Sequence, residues 1–250
     1  MEENAYFFEL VAGILYAVVG GRLWLLSRQT RQLPERLIGL TFLLWGGSYL
    51  LYNFPLLLKS ENLVTPFFFA GRVSYDLGTV AIALFTQRVF RSQNSWGGWI
   101  VIAVVAFSIA GVAGSVAVGD WEGLEASSNP WFWSEWVGIS LPFIWFGIEA
   151  AIQYSGARKR LKVGLCDRFT CNQFLLWSLA GLLMIGSNIT YLFQYLEYER
   201  AAQFSNSMDA LVGFSEIFTI CVIWLVFFPP RIYRNWVADP EPALEITRTI

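Results

Sequence analysis

The 250-residue chain is 56% hydrophobic and only 14% charged, with a mean hydropathy of +0.49, whereas soluble domains run about 45–50% apolar and about 25% charged. So few ionised groups cannot cover a soluble surface of this size, and a net charge of −2 offers no footprint for nucleic acid. Histidine is absent, which excludes the usual forms of haem b or chlorophyll ligation, His–carboxylate zinc hydrolases and Ser–His intramembrane proteases; no cofactor and no enzymatic activity are expected.

Seven apolar stretches are each long enough to cross roughly 30 Å of hydrocarbon at about 1.5 Å per residue. The first covers about 6–27; its leader, Met1-Glu2-Glu3-Asn4, is acidic and no small-x-small cleavage site follows, so it reads as a span and not a signal peptide. The second, 37–58, is opened by Pro34, and the third, 66–88, by Thr65-Pro66, a capping hydroxyl followed by an N1 proline. The fourth, 98–118, carries no charge, and the fifth, 134–155, contains Pro142, where a kink is expected. The sixth covers 171–196, and the seventh, 210–229, is stopped by Pro229-Pro230, neither of which can donate to a helix ladder. Lipid tolerates no open backbone polar groups, and these runs lack the period-2 alternation of barrel strands. The expected fold is therefore all-α and polytopic: a seven-helix transmembrane domain over 1–230 and a short tail over 231–250.

Loop charge sets the expected orientation. Arg28, Arg31 and Arg36 follow the first helix, Arg88 and Arg91 the third, Arg158, Lys159, Arg160, Lys162 and Arg168 the fifth, and Arg231, Arg234 and Arg248 the seventh. The other side holds Lys59 and Arg200, with an acidic loop of Asp120, Glu122, Glu125 and Glu135. Thirteen basic residues against two put the N-terminus outside and the C-terminus in the cytoplasm of the cell (inner) membrane. Trp121, Trp131, Trp133 and Trp136 fit an outer aromatic belt, and Trp24, Trp96, Trp99 and Trp236 an inner one. Cys166 and Cys171 share a basic loop and Cys221 lies in an apolar run; no structural disulfide is expected, and nothing near the C-x4-C spacing completes a metal site.

Helices two and six share Phe-Leu-Leu-Trp (42–45 and 174–177), and helices three and seven each carry a glycine (Gly71, Gly213) and then an acid (Asp76, Glu216). One reading is a 3+1+3 parallel repeat of the kind some small transporters use, joined by helix four; the other is chance likeness between leucine-rich helices. In helix four, Ala110, Gly111, Gly114 and Ser115 would admit a close neighbour, including a second copy of the chain.

Charge at membrane depth costs at least about 2.5–3.5 kcal/mol and needs a partner or water. Arg72, Tyr75 and Asp76 share one face of helix three at i, i+3 and i+4. Glu216, Asn53 and Asn188 lie at similar depth, with Tyr52, Tyr191 and Gln194 above them and Glu9 shallower. These residues suggest an outward polar cavity between helices two, three, six and seven, with Arg72 anchoring an anionic or carbonyl group. The competing reading is a neutralised network in which Arg72 pairs with Asp76 or Glu216. Nearer the cytoplasm, Arg22 and Glu149 are expected to pair. Asn188-Ile189-Thr190 fits the glycosylation pattern but lies within a helix, a chance match.

Lys59, Lys159 and Lys162 are the lysines, none in a helix core, so a retinal Schiff base is excluded; helix three ends Thr86-Gln87-Arg88-Val89-Phe90-Arg91, without the Asp-Arg-Tyr of G-protein-coupled receptors. Leu33-Pro34-Glu35, Phe85-Thr86-x-x-Val89-Phe90-Arg91, Arg160-Leu161-x-x-Gly164-Leu165 running on to Phe174-Leu175-Leu176-Trp177, and Phe227-Phe228-Pro229-Pro230 are blocks through which the chain resembles a group of bacterial seven-helix membrane proteins without a known activity. Most of these blocks lie at cytoplasmic loop junctions, which suits either a partner surface or tight turns. The expectation is a sensor or receptor-like protein in the lipid bilayer with a cytoplasmic or membrane protein partner; the alternatives are a small-solute or ion transporter and an accessory subunit of a larger complex.

Overall fold

The computed structural model describes residues 3–121, 129–198 and 206–238. The expectations attached to Glu122, Glu125, Arg200, Arg248, the tail beyond residue 238 and the side chain of Gln194 fall outside them. The described residues form helices α1 (Glu3–Thr30), α2 (Leu33–Leu57), α3 (Val64–Phe90), α4 (Trp96–Ala117), α5 (Pro130–Lys162), α6 (Arg168–Tyr198), α7 (Asn206–Phe227) and α8 (Arg231–Val237). A single 3-10 turn, Glu61–Leu63, leads into α3, and no strand occurs among the described residues. Six helices are long and apolar enough to cross a membrane, or seven if α7 and α8, bent by 77° at Pro229-Pro230, count as one span. This is the make-up of a multi-pass membrane protein.

Local sequence explains the starts of α5 and α6. Asn129 caps α5, its side chain accepting from the Trp131 amide at 3.0 Å, with Pro130 at the first helical position. The helix then runs unbroken through Pro142 to Lys162, so the basic cluster Arg158–Lys162 is helical and the turn to α6 is short. Asp167 caps α6 through the Thr170 amide at 2.8 Å and hydroxyl at 2.7 Å. The Thr65-Pro66 start expected for the third helix is not used. With the 3-10 turn leading in, α3 starts at Val64, and its cap position, Leu63, makes no side-chain cap bond.

Six helices close into a ring, each neighbour packed on the next in the order α1, α2, α3, α5, α6, α7 and back to α1. The α1–α2 seam brings backbones close together: a Cβ on Gly46 would lie 2.7 Å from the Ala17 amide nitrogen, and one on Gly20 2.6 Å from that of Leu43. Helix α4 lies outside the ring against α3 and α5. Its small-residue face is occupied within the chain, since added carbons on Gly111 and Gly114 would collide with Glu135 and Trp131 of α5. Those two glycines thus receive α5, a close helix neighbour of the kind their size was expected to admit. The Arg22–Glu149 pair is also corrected: α1 packs on α2 and α7 and does not reach α5. Glu149 instead accepts from Arg91 Nε at 2.7 Å and Trp145 Nε1 at 3.2 Å.

Candidate functional site

The polar residues expected to share one cavity separate into two clusters. The first is built on Arg72, buried on α3. Its Nε donates to both Glu135 oxygens, at 2.7 and 2.9 Å. One terminal nitrogen donates to the Asp120 and Trp121 carbonyls at 3.2 and 3.4 Å, and the other to Ser115 Oγ at 3.0 Å and again to Glu135. A guanidinium has five N–H donors in a fixed fork, and here every nitrogen is engaged by protein acceptors. The knot continues through Asn129, whose amide donates to Ser115 Oγ at 2.9 Å and to Asp120 Oδ2 at 2.7 Å. Arg72 therefore ties α3 to the end of α4 and the start of α5. Neither Asp76 nor Glu216 is its hydrogen-bonded partner, because α5 begins early enough to carry Glu135 into the bundle and Gly111 lets the Glu135 backbone approach α4. Asp76 is buried within electrostatic reach of Arg72 and Glu135, and its Oδ1 has no hydrogen-bond partner among the described residues.

The second cluster surrounds a small cavity within the ring. Of the expected site residues, Tyr75, Asn188, Tyr191 and Glu216 line it, whereas Arg72, Asp76, Asn53 and Tyr52 do not. Tyr52 turns onto Phe68, with ring centroids 5.2 Å apart, and fills the space beside Gly71. Asn53 donates to Glu9 at 3.3 Å and to the Tyr49 carbonyl at 2.9 Å. The rest of the lining is Tyr16, Trp45, Tyr49, Phe143, Met184, Ser187 and Thr219. Glu216 is the one charged side chain in that lining, hydrogen-bonded by the Tyr49 and Tyr191 hydroxyls.

No family model, curated protein or solved structure matches this chain.

Aromatic faces dominate around Glu216. Tyr16 stacks on Tyr49 at 5.9 Å, Trp45 stacks on Tyr75 at 5.8 Å, and Phe143 meets Trp45 edge-on at 5.6 Å. Asn188 is held by Ser140, whose hydroxyl donates to its Oδ1 at 2.7 Å. A carboxylate set among electron-rich ring faces, with no basic side chain in the lining, suits a cation. That is the opposite sign from a site anchored on Arg72. No group of three or more His, Cys, Asp or Glu among the described residues could hold a metal ion.

Two signals in the sequence could have found the missed residues. The missed Trp45 and Tyr49 lie one turn apart on α2, in line with the expected Asn53, and the missed Met184 and Ser187 share a face of α6 with the expected Asn188 and Tyr191 at i, i+3, i+4 and i+7. Reading Asn129-Pro130 as a cap and first-turn proline would have started the fifth helix at 130 instead of 134 and moved Glu135 from its very end into its second turn.

Proposed function

We propose that this chain is a non-enzymatic, receptor-like protein of the cell (inner) membrane that binds a small cationic ligand, a protonated or quaternary amine, around Glu216. The supporting observation is the Glu216 carboxylate held by Tyr49 and Tyr191 in a cavity walled by Tyr16, Trp45, Tyr75 and Phe143. Rings and a desolvated acid together hold ammonium groups, at about 0.5–2 kcal/mol for each cation–π contact. The strong bias of basic residues to one side puts the cavity in the outer half of the bilayer and the exposed Arg158, Lys159, Arg160, Lys162, Arg231 and Arg234 at the cytoplasmic face. Helix α7 carries Glu216 and ends at the turn into α8, so a ligand that draws on Glu216 acts on the element nearest that face. A cytoplasmic or membrane protein partner reads the result.

The transporter reading keeps one supporting observation: Trp45 and Trp177, which end the shared Phe-Leu-Leu-Trp of the two proposed repeats, are both buried in the bundle interior. Purified protein titrated with tetramethylammonium, butylamine and acetate tests the site. The two cations should raise the melting temperature of the wild type and leave Glu216→Gln unmoved; equal stabilisation by acetate, or no cation effect on a folded wild type, overturns the proposal. Uptake of the bound cation into proteoliposomes would favour transport over sensing.

A further inference from the structure

On α1, the guanidinium of Arg22 lies over two rings at the end of the seventh helix: Trp224 of α7, 4.8 Å from the ring centroid, and Phe228 just past its last turn, 4.6 Å. The two rings are themselves 4.9 Å apart, a shelf under the cation. Ring faces meet the flat side of a guanidinium and leave its edge N–H donors unused. Arg22 is exposed on the outside of the bundle, and no hydrogen bond or ion pair to it occurs among the described residues. Arg72 and Arg91, by contrast, have glutamates. An arginine facing lipid with free donors is costly unless it reaches a headgroup.

The surroundings indicate which group it reaches. Trp224 and Phe228 lie at the end of α7, where the chain turns by 77° into α8. If α7 spans the bilayer, α8 then lies along its surface. Tyr233 accepts from Asn172 of α6 at 2.5 Å, and Arg234 sits over Phe169 of α6 at 5.7 Å, holding α8 to the bundle. On its remaining face Ile232 and Trp236, one turn apart, are 85% and 81% exposed. An apolar residue and a tryptophan at i and i+4 on a short basic helix suit the acyl–headgroup boundary. Arg231 is exposed at the α7–α8 corner, three residues after Phe228.

We infer that the α1–α7 seam at the α8 end of the bundle binds one phospholipid, its phosphate held by Arg22 on the Trp224–Phe228 shelf and its charge matched by Arg231. With two arginines at the site and no acidic side chain paired with Arg22 among the described residues, the preferred lipid is anionic. This site is separate from the Glu216 cavity and does not depend on it.

Native mass spectrometry of the full chain in micelles supplemented with phosphatidylglycerol or phosphatidylcholine tests the assignment. Wild type should retain one phosphatidylglycerol in preference to phosphatidylcholine. Arg22→Gln should lower that retention by about fivefold, the factor one basic side chain contributes near an anionic surface, and Glu216→Gln should leave it unchanged. Equal retention by wild type and a folded Arg22→Gln overturns the site; so does full displacement of the lipid by millimolar inorganic phosphate, which would make it a free-anion site. Should Arg22→Gln not fold, photocrosslinking of wild type with a diazirine-bearing phosphatidylglycerol decides: adducts on α1 and α7 support the site, and adducts only elsewhere refute it.

Discussion

Replacing Arg72 by Met keeps much of the side-chain length and removes the charge that joins α3, α4 and α5. Glu135, 8% exposed, would lose its only ion-pair partner among the described residues. Breaking a buried pair by removing one member costs about 3–5 kcal/mol, because the other charge stays behind uncompensated. The Ser115 hydroxyl and the Asp120 and Trp121 carbonyls lose donors as well, each ordinarily a contribution of about 0.5–1.5 kcal/mol. Those losses overlap with the first, since the same displaced side chain causes all of them, so about 3–5 kcal/mol stands as the expected total. The double variant Arg72→Met, Glu135→Leu removes both charges and should recover to within about 1–2 kcal/mol of wild type. Denaturant unfolding in mixed micelles, followed by tryptophan fluorescence and by circular dichroism, measures all three proteins. If Arg72→Met unfolds within about 0.5 kcal/mol of wild type, or the double variant is no more stable than the single, Arg72 is not the lock described here. Amine binding at Glu216 should persist in the double variant, since Arg72 and Glu135 do not line that cavity.

Adjacent glycines on α2 should respond oppositely to one added carbon. Gly46→Ala puts a Cβ 2.7 Å from the Ala17 nitrogen and 2.8 Å from the Gly13 carbonyl, and overpacking of that kind costs about 1–3 kcal/mol, whereas Gly47→Ala meets only Ser74 Oγ at 3.6 Å and should be neutral or slightly stabilising; thermal unfolding of the two variants that moves in parallel would contradict the α1–α2 packing. At the start of α6, the Thr170 hydroxyl and amide hold the Asp167 carboxyl below its usual range. A folded pKa below the unfolded one means that this cap stabilises above about pH 4 and its contribution fades as the pH falls through the lowered value. Hydrogen exchange at the Thr170 amide should accelerate on acidification beyond the intrinsic change in wild type and not in Asp167→Asn, which still caps but does not titrate; identical profiles would count against the cap.

How much of this protein its sequence determines differs by level. The presence of six or seven long apolar helices, the α7 stop at Pro229-Pro230 and the start of α2 near Pro34 follow from local chemistry: hydrocarbon demands long apolar runs, and proline cannot continue a ladder. That Arg72, Asp76, Glu135, Glu149 and Glu216 need special surroundings also follows locally, from the cost of charge in lipid. Which of them meet does not. An i, i+4 acid looked sufficient for Arg72, yet Glu135, sixty-three positions away, takes it, because Asn129-Pro130 starts α5 early and Gly111 opens room beside it. Arg22 and Glu149 match in depth and are opposite in charge, yet α1 does not pack directly on α5. Tertiary packing alone put Glu216 among tyrosines from four other helices and left Arg22 exposed on the outside of the bundle. Depth along a helix is a property of the sequence; azimuth and neighbour are decided by how the helices close into a ring.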